Sequence, residues 1–248
     1  GGFFSALEAD SEGVEGKYYT WNYGEIKTVL NDPELFELFV AYYGVSEQGN
    51  WEHTNILWVP QEAALFCQAR GLDADAVQTK LAIGCEALLA HRKQRIKPLL
   101  DDKKLFGWNA LMITAYCKAF ASLGNSNYLG IAESASAFVE SRLKDTTGEY
   151  HHNYKNNKAE NPAFLEDFAS YIQSQIFLQE CTGNTQYLEN AARLTNKVLV
   201  DFFDTETGLF YYTHSNQKDV IFRKKDVYDG ATPSGNSLMA INLFYLGS

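Results

Sequence analysis

Glu166 and Asp167 stand side by side in a run that is otherwise mostly apolar, Ala163 to Cys181 (AFLEDFASYIQSQIFLQEC). A carboxylate among apolar side chains costs free energy unless it is hydrogen-bonded, paired or put to use. This pair is therefore the first candidate for acid–base chemistry. Two further carboxylates precede stretches of the same kind. Asp101-Asp102-Lys103-Lys104-Leu105-Phe106-Gly107 leads into Trp108-Asn109, and Tyr228-Asp229-Gly230-Ala231-Thr232-Pro233 leads into Ser234-Gly235-Asn236. Carboxylates, amides and aromatic rings meeting in one concave place describe a sugar site, where rings lie against pyranose faces and Asp and Asn bond hydroxyls. The catalytic candidates are Asp167, Asp229, Glu166 and Asp102, and the substrate-binding candidates are Trp108, Asn109, Tyr228, Ser234 and Asn236. The same residues also suit plainer roles. Ser234, Asp229 and Asp102 can satisfy the amides at helix N-termini, and Trp108 can be core.

Other chemistries find little support. The five histidines (His53, His91, His151, His152, His214) show neither His-x-x-x-His nor His-Glu-x-x-His spacing, so no metal site is expected. No Gly-x-Gly-x-x-Gly, Gly-x-x-x-x-Gly-Lys-Ser/Thr or Gly-x-Ser-x-Gly occurs, and no cofactor is expected. Cys67, Cys85, Cys117 and Cys181 lie among apolar neighbours without a Cys-x-x-Cys pair. They read as free thiols of a reducing, cytoplasmic compartment. The net charge of −10 argues against a nucleic-acid surface. The one basic run, Arg92 to Lys97, fits the C-terminal end of a helix before Pro98. No segment offers 18 consecutive apolar residues, so no membrane partner is expected.

The elements that must position the candidates are legible as a repeat. Gly124-Asn-Ser-Asn-Tyr-Leu129 recurs 59 residues later as Gly183-Asn-Thr-Gln-Tyr-Leu188, and Asp145-Thr-Thr-Gly148-Glu-Tyr150 returns as Asp204-Thr-Glu-Thr-Gly208-Leu-Phe210. Two signals moving by nearly one step mean a repeated supersecondary unit. Trp108–Leu123 and Ala163–Cys181 are apolar on more than one side and read as inner helices. Each ends at a Gly-Asn-Ser/Thr turn, where glycine suits the left-handed C′ position and Ser126 or Thr185 is placed to cap the next helix. Asn127–Leu143 and Gln186–Phe203 carry a narrower apolar stripe and read as outer helices. A hairpin-like excursion then returns the chain to the next inner helix, the third being 234–246. With an outer helix at 73–96, the pattern predicts an all-α fold, an (α/α)6 toroid of helical hairpins with short β-hairpin excursions, of which this sequence is a portion. In such a toroid the N-termini of the inner helices gather at one mouth.

The chain reads as one α/α-barrel domain over 1–248 with an insertion at about 13–58. Within it, Asn22-x-x-Glu25 has the form of a capping box and Asp32-Pro33 that of a helix start. Gly2–Gly13 (GFFSALEADSEG), Glu15–Trp21 (EGKYYTW), Arg95–Lys103 (RIKPLLDDK), Trp108–Met112 (WNALM) and Tyr228–Ser237 (YDGATPSGNS) resemble the YyaL-like family, which includes the spermatogenesis-associated thioredoxin-domain proteins. Glu8 stands where that family has Asp, and Ala110 where Gly is common. The resemblance implies an (α/α)6 barrel similar to N-acylglucosamine 2-epimerases and six-hairpin glycosidases, preceded in the family by a thioredoxin-like domain absent from these residues. Apolar flanks of an open ring would favour self-association or pairing with missing barrel segments.

Three functions follow as expectations. The first is sugar epimerisation or isomerisation, with a base and an acid moving a proton beside a carbonyl. The resemblance implies paired histidines for a 2-epimerase, and His151, His152 and His214 all fall on excursions, which weighs against a straightforward one. The second is glycoside hydrolysis by two mouth carboxylates, about 5–5.5 Å apart for retention or about 6.5–9.5 Å for inversion. The third is a non-catalytic binding or scaffold domain fused to a thioredoxin-like redox domain. A sugar-like ligand is the expected partner. Asp167 is the leading carboxylate and Asp229 its partner, so that Asp167→Asn is expected to abolish function with the melting temperature nearly unchanged.

Overall fold

Asp32 and Asp73 begin helices as their sequence context predicts. In the computed structural model, which describes residues 1–217 and 220–248, Asp32 accepts from the N–H groups of Glu34 and Leu35 at the start of α2 (Pro33–Tyr42). Asp73 accepts from Ala76 at the start of α4 (Ala74–Arg92). Together with α1 (Tyr23–Val29) and α3 (Ala63–Arg70) they enclose a core around Trp21, Ile26, Phe39 and Phe66. The capping box expected at Asn22 is not formed. Asn22 is the N-cap of α1, but its side chain makes no cap hydrogen bond. The chain divides into two compact units, Leu7–Leu100 and Gly1–Ala6 with Asp101–Ser248. Residues 13–58, expected as an insertion, fall within the first of these together with α3 and α4.

The second unit contains the repeat. Helix α5 (Phe106–Leu123) ends at Gly124 with φ 68°, and α7 (Leu165–Thr182) ends at Gly183 with φ 70°. These are the left-handed caps that the recurring glycine signalled. The caps of the following outer helices, α6 (Ser126–Phe138) and α8 (Thr185–Asp201), sit one residue earlier than the sequence indicated. Asn125 and Asn184, rather than Ser126 and Thr185, accept from the N–H groups of Asn127 and Gln186. The last turn of the first outer helix, Val139–Leu143, widens to π-helical geometry. A third inner helix, α9, spans Gly235–Gly247. Helix α7 packs against α5, α8 and α9, which explains why its sequence is apolar on nearly every side. Leu165, Phe168, Tyr171, Ile172 and Leu178 are all buried.

The fold class is the expected one: helical hairpins of the α/α-barrel kind with short β-excursions. Among the described residues the largest sheet has three strands, Lys104–Leu105, His151–Lys155 and Lys158–Pro162. The N-termini of the three inner helices meet. A Cβ added at Gly107 would lie 2.8 Å from Asp167 Oδ1, and one at Gly235 would lie 2.7 Å from Leu165 Cγ and 3.1 Å from the backbone nitrogen of Glu166. Both starts therefore need glycine to reach the first turn of α7. Gly235→Ala should lower unfolding stability by about 1–3 kcal/mol, the cost of overpacking a closed contact. Denaturant unfolding checks this, and an unchanged midpoint would contradict the close approach.

Candidate functional site

The site is built on the hairpin that leads into α7. Asn156 and Asn157 have φ of 50° and 60°, the left-handed pair that a two-residue hairpin turn demands. They set the register in which Lys155 pairs with Lys158 and Asn153 with Glu160. The hairpin delivers His152 to the start of α7. There Phe164 is the N-cap, and Asp167, three residues on, reaches back so that Oδ2 accepts the Phe164 N–H at 2.9 Å. Oδ1 of the same carboxylate accepts the Gly107 N–H at 2.8 Å, tying α7 to α5. Oδ2 also receives Nδ1 of His152 at 2.8 Å. An ionised carboxylate only accepts, so the His152 proton is held on Nδ1. Nε2 has no hydrogen-bond partner among the described residues, and about a quarter of the side chain is exposed.

Glu166 completes the cluster. Its Oε1 accepts the Tyr212 hydroxyl at 3.0 Å, and Tyr212 stacks on Phe164 with ring centres 4.8 Å apart. Phe164 in turn lies 4.9 Å from the His152 ring. The local field raises the pKa of both titrating groups. Burial opposes the charged form of His152, but the Asp167 hydrogen bond and charge, with Glu166 beside them, outweigh it and raise the pKa above 6.5. Burial, together with the neighbouring Asp167 charge, raises Glu166 above its ordinary 4.5 against the lowering bond from Tyr212. Burial and then the Glu166 charge likewise raise Tyr212.

The other sequence candidates separate sharply. Trp108, half exposed, lines a mostly apolar cleft of about 390 Å³ with Phe3, Phe4, Met112 and Thr232. Its Thr232 shows that the loop before α9 opens at the same end of the unit. Asn109 is buried: its Oδ1 accepts the Phe3 N–H, and its amide donates to the carbonyls of Phe3 and Leu105. Asn236 does the same in its own repeat, accepting from the Phe210 N–H and donating to the carbonyls of Phe210 and Asp226. The polar atoms of these two asparagines are committed to backbone. They tether the aromatic excursions to the inner helices and hold nothing out to a ligand. Ser234 caps α9 through Ser237. Asp229 is exposed and accepts the Ser234 N–H at 2.8 Å. That bond, with Ser237 and Ser234 side chains behind it, lowers its pKa. Asp229 thus lies beside the start of α9, and it forms no hydrogen bond with Asp167. Tyr228 is 85% exposed, and Asp102 pairs with Lys155 at 3.2 Å.

His152, Tyr212 and Phe164 are the site residues that the sequence reading missed. A cleft of about 510 Å³ lies elsewhere, between α6, the π-helical turn, α7 and α8, and contains none of the nine candidates. Among the described residues no group of His, Cys, Asp and Glu is arranged to hold a metal. No helix there is long and apolar enough to cross a membrane.

No family model matches the chain. Spermatogenesis-associated protein 20 from Homo sapiens is 32% identical over 99% of the chain, and that from Mus musculus is 31% identical over 100%. The chain is a homologue of spermatogenesis-associated protein 20. The family resemblance read from the motifs is thus borne out over essentially the whole chain, which spans 36% of the length of either relative. Solved structures with a similar helical arrangement include a sugar epimerase from a ruminal bacterium, with a TM-score of 0.48, 13% identity, and 75% of this chain and 51% of that one covered. An α-mannanase of glycoside hydrolase family 76 from Bacteroides thetaiotaomicron has a TM-score of 0.43, 12% identity, and coverage of 77% and 62%.

Proposed function

We propose that the mouth of the second unit is a carbohydrate-active site that moves a proton beside a sugar carbonyl, with His152 as the acid and Glu166 as the base. The observation that carries this reading is the His152–Asp167 dyad with its open Nε2, set beside a second carboxyl, Glu166, whose Oε2 is also open. An imidazole favoured in its charged form and a carboxyl beside it are suited to complementary acid and base roles. The raised pKa of His152 favours its imidazolium, and the step starts from that imidazolium and the Glu166 carboxylate. In that form Glu166 Oε2, left open by the Tyr212 bond to Oε1, takes the proton from the carbon next to the carbonyl. His152 Nε2 gives its proton to the carbonyl oxygen. Return of the proton from Glu166 to the adjacent carbon, and of the hydroxyl proton to His152, balances the step as an aldose–ketose isomerisation. Trp108 supplies an apolar face for the ring or chain of the sugar.

Two-carboxylate hydrolysis is less well supported. Asp167 is saturated by the Gly107 and Phe164 amides and His152, and Asp229 is held by Ser234. Asp102 is paired with Lys155, and no hydrogen bond links Glu166 to either Asp229 or Asp102.

Proton NMR of a panel of aldoses and ketoses incubated with the protein in deuterated water tests the reading. Loss of the signal from the hydrogen beside the carbonyl is expected. Glu166→Gln and His152→Gln should each slow it by about 10²–10⁴-fold. The rate should fall on the acid side with Glu166 and on the alkaline side with His152. No exchange with any member of the panel would reject the assignment and favour a scaffold domain. The same histidine leaves a mark on stability. Because folding raises its pKa above 6.5, its contribution is complete below that value and is lost as pH rises through the folded value. His152→Gln should remove this dependence.

A further inference from the structure

Parts of two stretches that carry the family resemblance, Lys17–Trp21 and Arg95–Ile96, lie away from the mouth. In the unit Leu7–Leu100 they face one another across a separate cleft of about 460 Å³, with Ser11, Asn22, Glu25 and Thr54 on its other sides. Its floor is a saturated charge cluster. The Arg95 guanidinium lies 4.0 Å from the Trp21 ring centre, and its NH1 donates to the carbonyls of Tyr18 and Thr20, both at 2.8 Å. NH2 donates to Glu25 Oε1 at 2.7 Å, which His91 Nε2 also approaches at 3.1 Å. Lys17 is paired with Glu12 at 2.8 Å. Every charge lining the cleft thus has an opposite partner.

The walls are different. Among the described residues the Tyr18 hydroxyl, the Thr20 hydroxyl and the side-chain amides of Asn22 and Gln94 make no hydrogen bond, and all four line the cleft. Asn22 is the most telling. The sequence offers it a capping box with Glu25, yet its side chain leaves the α1 amides uncapped, while Glu25 turns to Arg95 and His91 instead. Two uncommitted amides and two uncommitted hydroxyls present donors and acceptors together, without net charge.

We propose that this cleft is a second ligand site, for a neutral, hydroxyl-rich molecule of monosaccharide to disaccharide size. An anion finds no free cation there, because Arg95 and Lys17 are already neutralised. A cation finds no free carboxylate, and an apolar ligand would strand four polar groups. Hydroxyl groups, each both donor and acceptor, match hydroxyl and amide partners of either sense. The volume lies within the range of small-ligand pockets, about 300–1,000 Å³. The site is independent of the proton-transfer reading at the mouth.

The test uses the whole chain carrying Trp108→Ala, which weakens any sugar binding at the mouth. Glucose, mannose, cellobiose and myo-inositol are titrated while the side-chain amides of Asn22 and Gln94 and the indole N–H of Trp21 are followed by NMR. At least one of these probes should shift all three signals, and Gln94→Ala and Tyr18→Phe should each weaken that probe about fivefold, the loss of one hydrogen bond. Shifts of the same size with inorganic phosphate would overturn the proposal, as would the absence of shifts with all four probes. Unchanged affinity in both variants would overturn it too. Failure of the mouth reading leaves the experiment readable, because the signals report on this cleft alone.

Discussion

Asp167→Asn is expected to lower unfolding stability by about 2–4 kcal/mol and, in the folded protein, to release the His152 proton from its fixed position. The carboxylate is 1% exposed and accepts from three groups, the amides of Gly107 and Phe164 and Nδ1 of His152. An asparagine brings one oxygen and one NH₂. Whichever way the amide is turned, its hydrogens face a backbone N–H or the His152 N–H, so a buried donor is left unpaired. This reverses the expectation from sequence that the melting temperature would hardly move. Asp167 joins α5, α7 and the hairpin before it acts on His152, and its role in the chemistry is to position that imidazole. Thermal unfolding gives the first readout, and nitrogen-15 shifts of the imidazole, which report the tautomer, give the second. His152→Gln is the control: it should spare most of the stability that Asp167→Asn removes while losing the proton transfer. An unchanged melting temperature together with an unchanged His152 tautomer would contradict the geometry of the start of α7.

The inner helices were readable because burial on several sides leaves a continuous apolar run, and because the Gly-Asn turn repeats. The read span 163–181 is found as Leu165–Thr182, 108–123 as Phe106–Leu123 and 234–246 as Gly235–Gly247. The tethers were half visible. In the structure Phe3 and Phe210, which follow Gly2 by one residue and Gly208 by two, are the residues whose backbone Asn109 and Asn236 grip. What the sequence could not show was that gripping a backbone exhausts the amide. His152 escaped for another reason. Its bond to Asp167 depends on the register of a five-residue strand and on a turn at Asn156-Asn157, and a single histidine in a short strand has no periodicity to betray its face. The Asn156-Asn157 pair, read as a left-handed hairpin turn, was the available signal. Tyr212 is beyond any such inference, since it meets Glu166 across 46 residues.

Glu140→Ala should be the other large loss, about 1–3 kcal/mol, in a region remote from the candidate chemistry. Glu140 sits in the π-helical turn Val139–Leu143, geometry that turns its side chain toward α7 and α8. Its Oε1 accepts the hydroxyls of Tyr150 at 2.7 Å and Tyr171 at 2.8 Å and the Asn190 amide at 3.3 Å, while Lys144 approaches Oε2 at 3.3 Å. Removing the carboxylate strands the Tyr171 hydroxyl in the core with only Ser136 as a partner, and this sets the lower bound of the loss. The upper bound stays modest because about a third of the Glu140 side chain meets solvent, which screens the ionic part. Burial alone would raise the Glu140 pKa, but the two tyrosine bonds and Lys144 overcome it and hold the value below 4.5. A depressed folded pKa means stability that is present above 4.5 and lost as pH falls through the folded value. Wild-type protein should therefore lose more stability on acidification than Glu140→Gln, and denaturant unfolding at neutral and acid pH measures the difference. The consequence reaches the mouth through Tyr150, which precedes His152 by two residues and stacks on Phe106 at the start of α5. Hydrogen exchange in the strand His151–Lys155 should quicken in Glu140→Ala. If the strand keeps its protection while the stability falls, Glu140 holds the outer helices alone and the histidine is positioned by Asp167 without its help.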